Sequence, residues 1–298
     1  MTKQLPIANP ARTASLMKEY DIQMKKSLGQ NFLIDSNILD KMLAAGRINQ
    51  HTTVIEIGPG IGALTEFLAQ TAKQVYAFEI DQRFVDILSE TLADYDNVKV
   101  IHQDILKVDF QAEAYAELAQ AEDLVVCANL PYYITTPIIM HLIQANLPFD
   151  RLIMMMQKEV AERMTAAVGT KAYGSLSLAI QNQMQAELAF TVPKTVFIPR
   201  PNVDSAVLIL KRKSEPSVPG EQRLAFEHFV KAAFSQRRKT LWNNLKNYPA
   251  DQALSIDQWQ KIFDQSQIAS NRRAESLDLA EFIRLFKKYQ QVQAESLA

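Results

Sequence analysis

A single cysteine, Cys127, has nothing to pair with, so no internal disulfide framework holds this chain, and a reducing compartment suits it. Four histidines, His51, His102, His141 and His228, are scattered without metal-ligand spacing, so no metal is expected. No apolar run approaches the roughly 20 residues that a membrane span needs. Pro6, Pro10 and Arg12 stand where a secretory signal would need an unbroken apolar stretch. Together these absences point to the cytoplasm. An excess of one charge is missing too. A net charge of −1 gives no overall basic field, so a nucleic-acid partner would have to be held by a local patch. What is present is 298 residues, 48% of them apolar, enough to bury the cores of two compact domains.

The apolar pattern alternates between two periods. Short buried runs at Val54–Gly58, Val75–Glu79, Val98–His102, Leu124–Ala128 and Leu152–Met156 read as strands. Between them Gly62–Thr71, Arg83–Ala93 and Pro137–Gln144 carry helical spacing, and further helices start near Asp35 and at Lys158. Strands alternating with helices at this spacing indicate parallel crossovers in an open, doubly wound α/β sheet. Ser205–Lys211 is a late strand, and Thr195–Phe197 is its candidate partner in an edge hairpin. Residues 1–24 read as a helix with a loose start. A Pro- and Gly-containing linker at Lys213–Gly220 precedes a stretch with helical spacing only. The expected organisation is a domain over 1–213 and a smaller all-helical domain over 214–298.

Three successive strand ends carry polar residues. The first ends in Glu56-Ile57-Gly58-Pro59-Gly60-Ile61-Gly62, a sharp turn that lets backbone pass close to a ligand. Its third glycine comes one position too early for the dinucleotide pattern, which argues against an NAD oxidoreductase. Glu79 ends the second strand, where an acid accepts hydrogen bonds from both hydroxyls of a ribose, in NAD or S-adenosylmethionine alike. Asp104 ends the third, positioned to take an adenine amine or simply to cap a turn.

The fourth strand ends in Asn129-Leu130-Pro131-Tyr132. An adenine amine is a poor nucleophile because its lone pair is delocalised into the ring. Acceptors that bind its two hydrogens favour a pyramidal, reactive nitrogen. The Asn129 side-chain oxygen and the Leu130 carbonyl are two such acceptors, Pro131 fixes the turn that aims the carbonyl, and Tyr132 offers a face on which an extruded base stacks. Alone, this corner fits any amine methyltransferase.

With these motifs stand Gly29-Gln30-Asn31-Phe32-Leu33, Gln157-Lys158-Glu159-Val160, Lys171-Ala172-Tyr173-Gly174, Phe197-Ile198-Pro199-Arg200-Pro201-Asn202-Val203-Asp204-Ser205 and Phe234-Ser235-Gln236-Arg237-Arg238-Lys239-Thr240. In this order they resemble the KsgA/RsmA family of small-subunit ribosomal RNA adenine dimethyltransferases over most of the chain. The resemblance implies a Rossmann-like methyltransferase domain with a helical C-terminal domain, S-adenosylmethionine as methyl donor, and dimethylation at N6 of two adjacent adenosines in the 3′-terminal hairpin loop of 16S rRNA. It implies a pre-30S particle as partner and a monomeric protein. Family cofactor contacts fall on Asn31, Leu33, Gly58, Glu79, Asp104 and Asn129. A second stacking aromatic falls on Phe197, opposite Tyr132.

Residues 205–298 hold 15 Lys/Arg against 10 Asp/Glu, and the remainder 17 against 23. This C-terminal third is therefore the basic part. Its clusters Arg237-Arg238-Lys239 and Lys211-Arg212-Lys213 are the expected phosphate contacts. Two other readings compete. The antibiotic-resistance relatives that methylate large-subunit rRNA share the cofactor and catalytic corners, but the Asn-Leu-Pro-Tyr form, the 197–205 motif and the longer helical domain favour the small-subunit enzyme. A non-catalytic assembly or binding factor would not need Asn129, Tyr132, Glu79 and Phe197 intact.

Overall fold

A computed structural model describes residues 5–23, 31–145, 147–249 and 254–297. The chain divides into two compact units, one of residues 1–161 and 187–212, the other of residues 162–186 and 213–298.

The first unit is built on strands β2 (Thr52–Ile57), β3 (Gln74–Glu79), β4 (Val98–His102), β5 (Asp123–Asn129), β6 (Arg151–Gln157), β7 (Met184–Val192) and β9 (Ser205–Arg212). Their order across the sheet is β4-β3-β2-β5-β6-β9-β7. The first five strands run parallel, and β9 pairs antiparallel with β6. All six residues of β2 are buried, as a central parallel strand covered on both faces requires. Helices α2 (Ser36–Ala45), α3 (Ala63–Thr71), α4 (Gln82–Thr91), the short α5 (Ala116–Ala119), α6 (Thr135–Gln144) and the start of α7 (Lys158–Thr165) connect them. Side chains begin several helices: Asp35 caps α2 at Asn37 N, and Asp81 caps α4 at Arg83 N. At the start of the chain α1 (Pro10–Glu19) opens on an Asn9 cap, and the segment before it is tied down by Ile7 N donating to Glu66 Oε2 at 2.7 Å.

Two connections differ from the expected ones. The partner of β9 at the sheet edge is β7, not residues 195–197. Instead β8 (Phe197–Ile198) forms a separate antiparallel ladder with β1 (Phe32–Leu33), pairing Phe197 with Leu33 and Ile198 with Phe32. Val196 O accepts from Ile34 N at 2.9 Å and extends this clasp.

The second unit contains α8 (Ser175–Gln183), α9 (Gly220–Ala233), α10 (Leu241–Leu245), α11 (Ile256–Ser266) and α12 (Leu279–Leu297). Its core is aromatic: Phe226, Phe229, Trp259, Phe263, Phe282 and Phe286 are all buried, and Trp259 stacks on Tyr289 at 5.7 Å. A capping box starts α11, with Ser255 Oγ accepting from Gln258 N and Gln258 Oε1 from Ser255 N. The expected boundary at 213 falls within one residue of where the helical unit resumes, but the expected first domain over 1–213 is not continuous. Residues 162–186 join the helical unit because Ala166, Tyr173 and Leu178 pack into its core and the Tyr173 hydroxyl donates to Leu277 O at 2.9 Å.

Candidate active site

The carboxyl ends of β4, β3, β2 and β5 open on one cleft with an empty volume of about 1140 Å³, part of it open to solvent. Its lining includes Asn31, Leu33, Gly58, Glu79, Asp104, Asn129, Leu130, Pro131 and Tyr132. Residues spread over a hundred positions of sequence thus meet where an open parallel sheet places its ligands.

After β2 the chain turns through Gly58 at φ +66° and Gly60 at φ +58°. Both lie in the left-handed region that only glycine enters without strain. A Cβ on Gly58 would meet no atom within 4 Å, so the backbone there faces open cleft space. A Cβ on Gly60 would lie 3.3 Å from the Phe32 ring, which makes this the close approach of the loop to β1.

Glu79 closes β3 and is 5% exposed. Its Oε1 accepts from Ile80 N at 2.8 Å and Asp81 N at 2.9 Å, and its Oε2 accepts from Gly60 N at 3.1 Å. One carboxylate therefore joins the end of β3 to the glycine turn and keeps acceptor capacity on Oε2. Burial pushes its carboxyl above the ordinary carboxylate range, the three amides pull it back, and the charge of Asp81 raises it. Asp104 serves as cap and cleft wall at once: Oδ1 accepts from Leu106 N at 3.0 Å to start a short 3-10 turn.

The corner after β5 is fixed atom by atom. Asn129 Nδ2 donates to Asn31 O at 3.4 Å, which leaves Oδ1 as the acceptor. Leu130 N continues the ladder to Met155 O at 3.0 Å, and Pro131, with no N–H, ends it. The Pro131 carbonyl accepts from Ile134 N at 3.3 Å and Thr135 Oγ1 at 3.0 Å. The Leu130 carbonyl accepts no hydrogen bond among the described residues. The Tyr132 hydroxyl lies 2.6 Å from Ser205 Oγ, which holds the ring against the start of β9. Burial pushes this phenol up and the Ser205 bond draws it down, so it remains neutral at physiological pH.

Phe197 is not brought into this lining. It is 3% exposed and belongs to the core, reaching the cleft only through its ladder partner Leu33. Of the basic clusters, Arg212 is committed elsewhere: its guanidinium stacks 4.1 Å from the Phe149 ring and donates to Phe149 O and Leu147 O. Lys211 is exposed on the same strand. In the helical unit Arg237 pairs with Glu275 at 2.8 Å. Arg238 and Lys239 are exposed, with no carboxylate paired to them among the described residues.

Sequence reasoning passed over several cleft residues. Ile80 and Tyr133 line it while 56% and 54% exposed. Each directly follows a residue that was singled out, and a large apolar side chain after a strand end was the available signal. Glu56 also lines the cleft, buried at 1%. Its signal was a charge inside an otherwise apolar strand.

Among the described residues, Glu56, Glu79 and Asp104 are the charged ones of the lining, which has no Lys, Arg or His among them. Such a cleft repels phosphates and attracts cations. Among the described residues no group of three His, Cys, Asp or Glu is arranged to hold a metal ion, and no helix is long and apolar enough to cross a membrane.

A family model described as ribosomal RNA adenine dimethylase matches residues 22–290. The ribosomal RNA small subunit methyltransferase A of Geobacillus thermodenitrificans is 53% identical over 279 residues, 94% of this chain and 95% of that protein. Among solved structures, a dimethyladenosine transferase from Plasmodium falciparum superposes with a TM-score of 0.71 at 26% identity, covering 88% of this chain and 98% of that one. The 23S rRNA methyltransferase ErmE gives a TM-score of 0.65 at 25% identity, covering 87% of this chain and 100% of its own.

Proposed function

This chain belongs to the ribosomal RNA adenine dimethylase family, and from that premise we propose that it methylates N6 of two adjacent adenosines in the 3′-terminal hairpin loop of small-subunit rRNA, each twice, with S-adenosylmethionine as donor. The substrate is a late precursor of the small subunit in the cytoplasm. The greater identity to the small-subunit enzyme than to the large-subunit one supports this choice of RNA.

One observation carries the choice of donor: among the described residues three carboxyls and no cationic side chain line the cleft. A dinucleotide would bring its pyrophosphate into that field, whereas a sulfonium donor brings positive charge. The residues present fit such a group. Glu79 Oε2 would accept from a ribose hydroxyl and Asp104 from an adenine amine, and the open backbone at Gly58 leaves room beside them. When bound, the donor supplies a methyl carbon on positively charged sulfur, an electrophile that needs no further activation.

The chain's own groups then hold the nucleophile. Tyr132 presents its ring to a base taken out of its stack. Asn129 Oδ1, aimed by the bond from Nδ2 to Asn31 O, accepts one amine hydrogen, and the Leu130 carbonyl accepts the other. The nitrogen lone pair is thereby directed at the methyl carbon. As the new N–C bond forms, the nitrogen gains positive charge and its N–H becomes acidic, so the proton passes to water without a strong base. After the first transfer one hydrogen remains, and either acceptor can hold it for the second. Positioning supplies most of the rate. Phe197 is proposed as the second face of the base, reached by movement of the β1–β8 clasp, and Arg238 and Lys239 as phosphate contacts.

Mass spectrometry of small-subunit rRNA from subunits lacking the modification, after reaction with wild type and Asn129→Ala, tests the proposal. Two dimethyladenosines in the 3′-terminal loop are expected with wild type and none with the variant. Methyl groups found only on large-subunit RNA would overturn it.

A further inference from the structure

Glu56 sits near the end of β2, and β2 lies between the strand that ends in Glu79 and the strand that ends in Asn129. In the proposed reading Glu79 holds the ribose and Asn129 faces the reacting methyl. The strand between them would therefore underlie the cationic part of the donor, its sulfonium and the α-ammonium carried on the same side chain.

The Glu56 carboxyl is 1% exposed and lines the cleft, yet its Oε2 has no hydrogen-bond partner among the described residues. Thr65 Oγ1 on α3 faces it, likewise without a bond of full geometry. The other titratable groups that bear on it are Glu79 on β3, Cys127 on β5 and, further along the lining, Asp104 at the end of β4. None is a cation. An isolated carboxylate removed from water is among the costliest groups to bury, and it takes up a proton rather than remain charged. Burial pushes this carboxyl up to about 8, the Thr65 hydroxyl lowers it somewhat, and the charge of Glu79 raises it. Glu79, also buried, differs in having three amides on its oxygens.

We infer that Glu56 is the counter-charge for the cationic end of the methyl donor, and that it gives up its proton to solvent as that end binds. The inference rests on the donor reading above. Once a methyl group has left, the sulfur is a neutral thioether and part of the partner charge is gone, so the carboxyl regains its proton more readily and the spent donor is held less firmly.

Proton release is counted by titrating S-adenosylmethionine into the full-length protein at pH 7, calorimetrically, in buffers of different ionisation enthalpy. Wild type is expected to release about one proton per donor bound, since a group titrating a unit higher is mostly protonated when the cleft is empty. Glu56→Gln is expected to bind more weakly and release none. 5′-Methylthioadenosine engages Glu79 and Asp104 through the same adenosine but carries no positive charge, so its heat should not depend on buffer for either protein. Should the variant fail to fold, wild type alone decides. Donor affinity should rise about tenfold per pH unit between pH 6 and 7, below the range near 8 where an α-amino group itself titrates, while methylthioadenosine affinity stays flat. Donor binding without buffer dependence, or an equal proton count in Glu56→Gln, overturns this inference alone. Absence of any donor binding overturns the proposed function and this inference with it.

Discussion

The two ends of the central sheet treat their polar groups in opposite ways. At the amino ends, Arg151 at the start of β6 meets Asp123 at the start of β5 through two bonds of 2.7 and 3.1 Å. Its Nε donates to Gly46 O at 2.6 Å, and Thr52 Oγ1 at the start of β2 donates to Asp123 Oδ2 at 2.6 Å. There each charge has its counter-charge inside the protein. At the carboxyl ends of the same strands, among the described residues, Glu56 has no partner for Oε2, Glu79 has amides but no cation, and the Leu130 carbonyl has no donor. One end completes its bonds on folding, and the other leaves acceptors open, as the proposed function requires.

The largest test of this contrast is Asn129→Ala. It removes an acceptor from the open end and is expected to lower single-turnover methyl transfer on the order of 10²–10³-fold, as loss of one preorganised polar contact does elsewhere. Folding stability should hardly move. A loss under tenfold would mean that Oδ1 does not hold the amine.

Arg151→Ala should do the reverse. It strips a partly buried pair, 15% and 22% exposed at the two side chains, and is expected to cost about 2–3 kcal/mol in urea unfolding, below the cost of breaking a fully buried pair. Turnover per folded molecule should be unchanged. A fall in kcat with stability intact would break the division between the two ends.

The ends also differ in the sign of their pH dependence. Burial raises the Asp123 carboxyl, but bonds from Arg151 and Thr52 outweigh that and bring it below the usual range. Its contribution to stability is therefore present above the unfolded value near 4 and is lost as pH falls through the lower folded value. Glu56 is held up at about 8, so its contribution is present below the unfolded value and is lost as pH rises toward 8. Glu56→Gln should match wild type near pH 4 and be more stable at pH 8 by on the order of a few kcal/mol. Urea unfolding at the two pH values measures this, and a gain that is equal at both would show that folding does not shift this carboxyl.

Much of this sheet was legible because buried parallel strands announce themselves as short apolar runs. Val98–His102 was read with the bounds that β4 has. Glu79, Asp104 and Asn129 were legible because a polar residue at such a strand end has few other reasons to be there. The clasp of β1 on β8 was not, since two-residue strands have no periodicity and their pairing spans most of the first unit. Nor was β7, whose exposure pattern alternates too poorly to mark a strand. Residues 162–186 read as part of the first domain because sequence order says nothing of which core Tyr173 and Leu178 enter. Glu56 was seen only as a letter of the glycine motif. Burial without a partner is a property of the folded site.

The smallest expected effect concerns the two basic clusters, which the sequence treats alike. Lys211 pairs in register with Arg151, so Arg212 belongs to the completed end of the sheet, its guanidinium held on Phe149 and two carbonyls. Arg212→Gln should cost about 1 kcal/mol of stability, the scale of one cation–π contact with its hydrogen bonds, and leave the salt dependence of RNA binding unchanged. Arg238 has no carboxylate partner among the described residues, and Arg238→Gln should flatten the plot of log affinity against log salt by roughly 0.7–0.9, the loss of one phosphate contact. Arg237, already paired with Glu275, should contribute less than Arg238. Filter binding across a salt series separates the two clusters. If Arg212 changed the slope and Arg238 did not, RNA would have to reach the amino end of the sheet, and that end would no longer be structural alone.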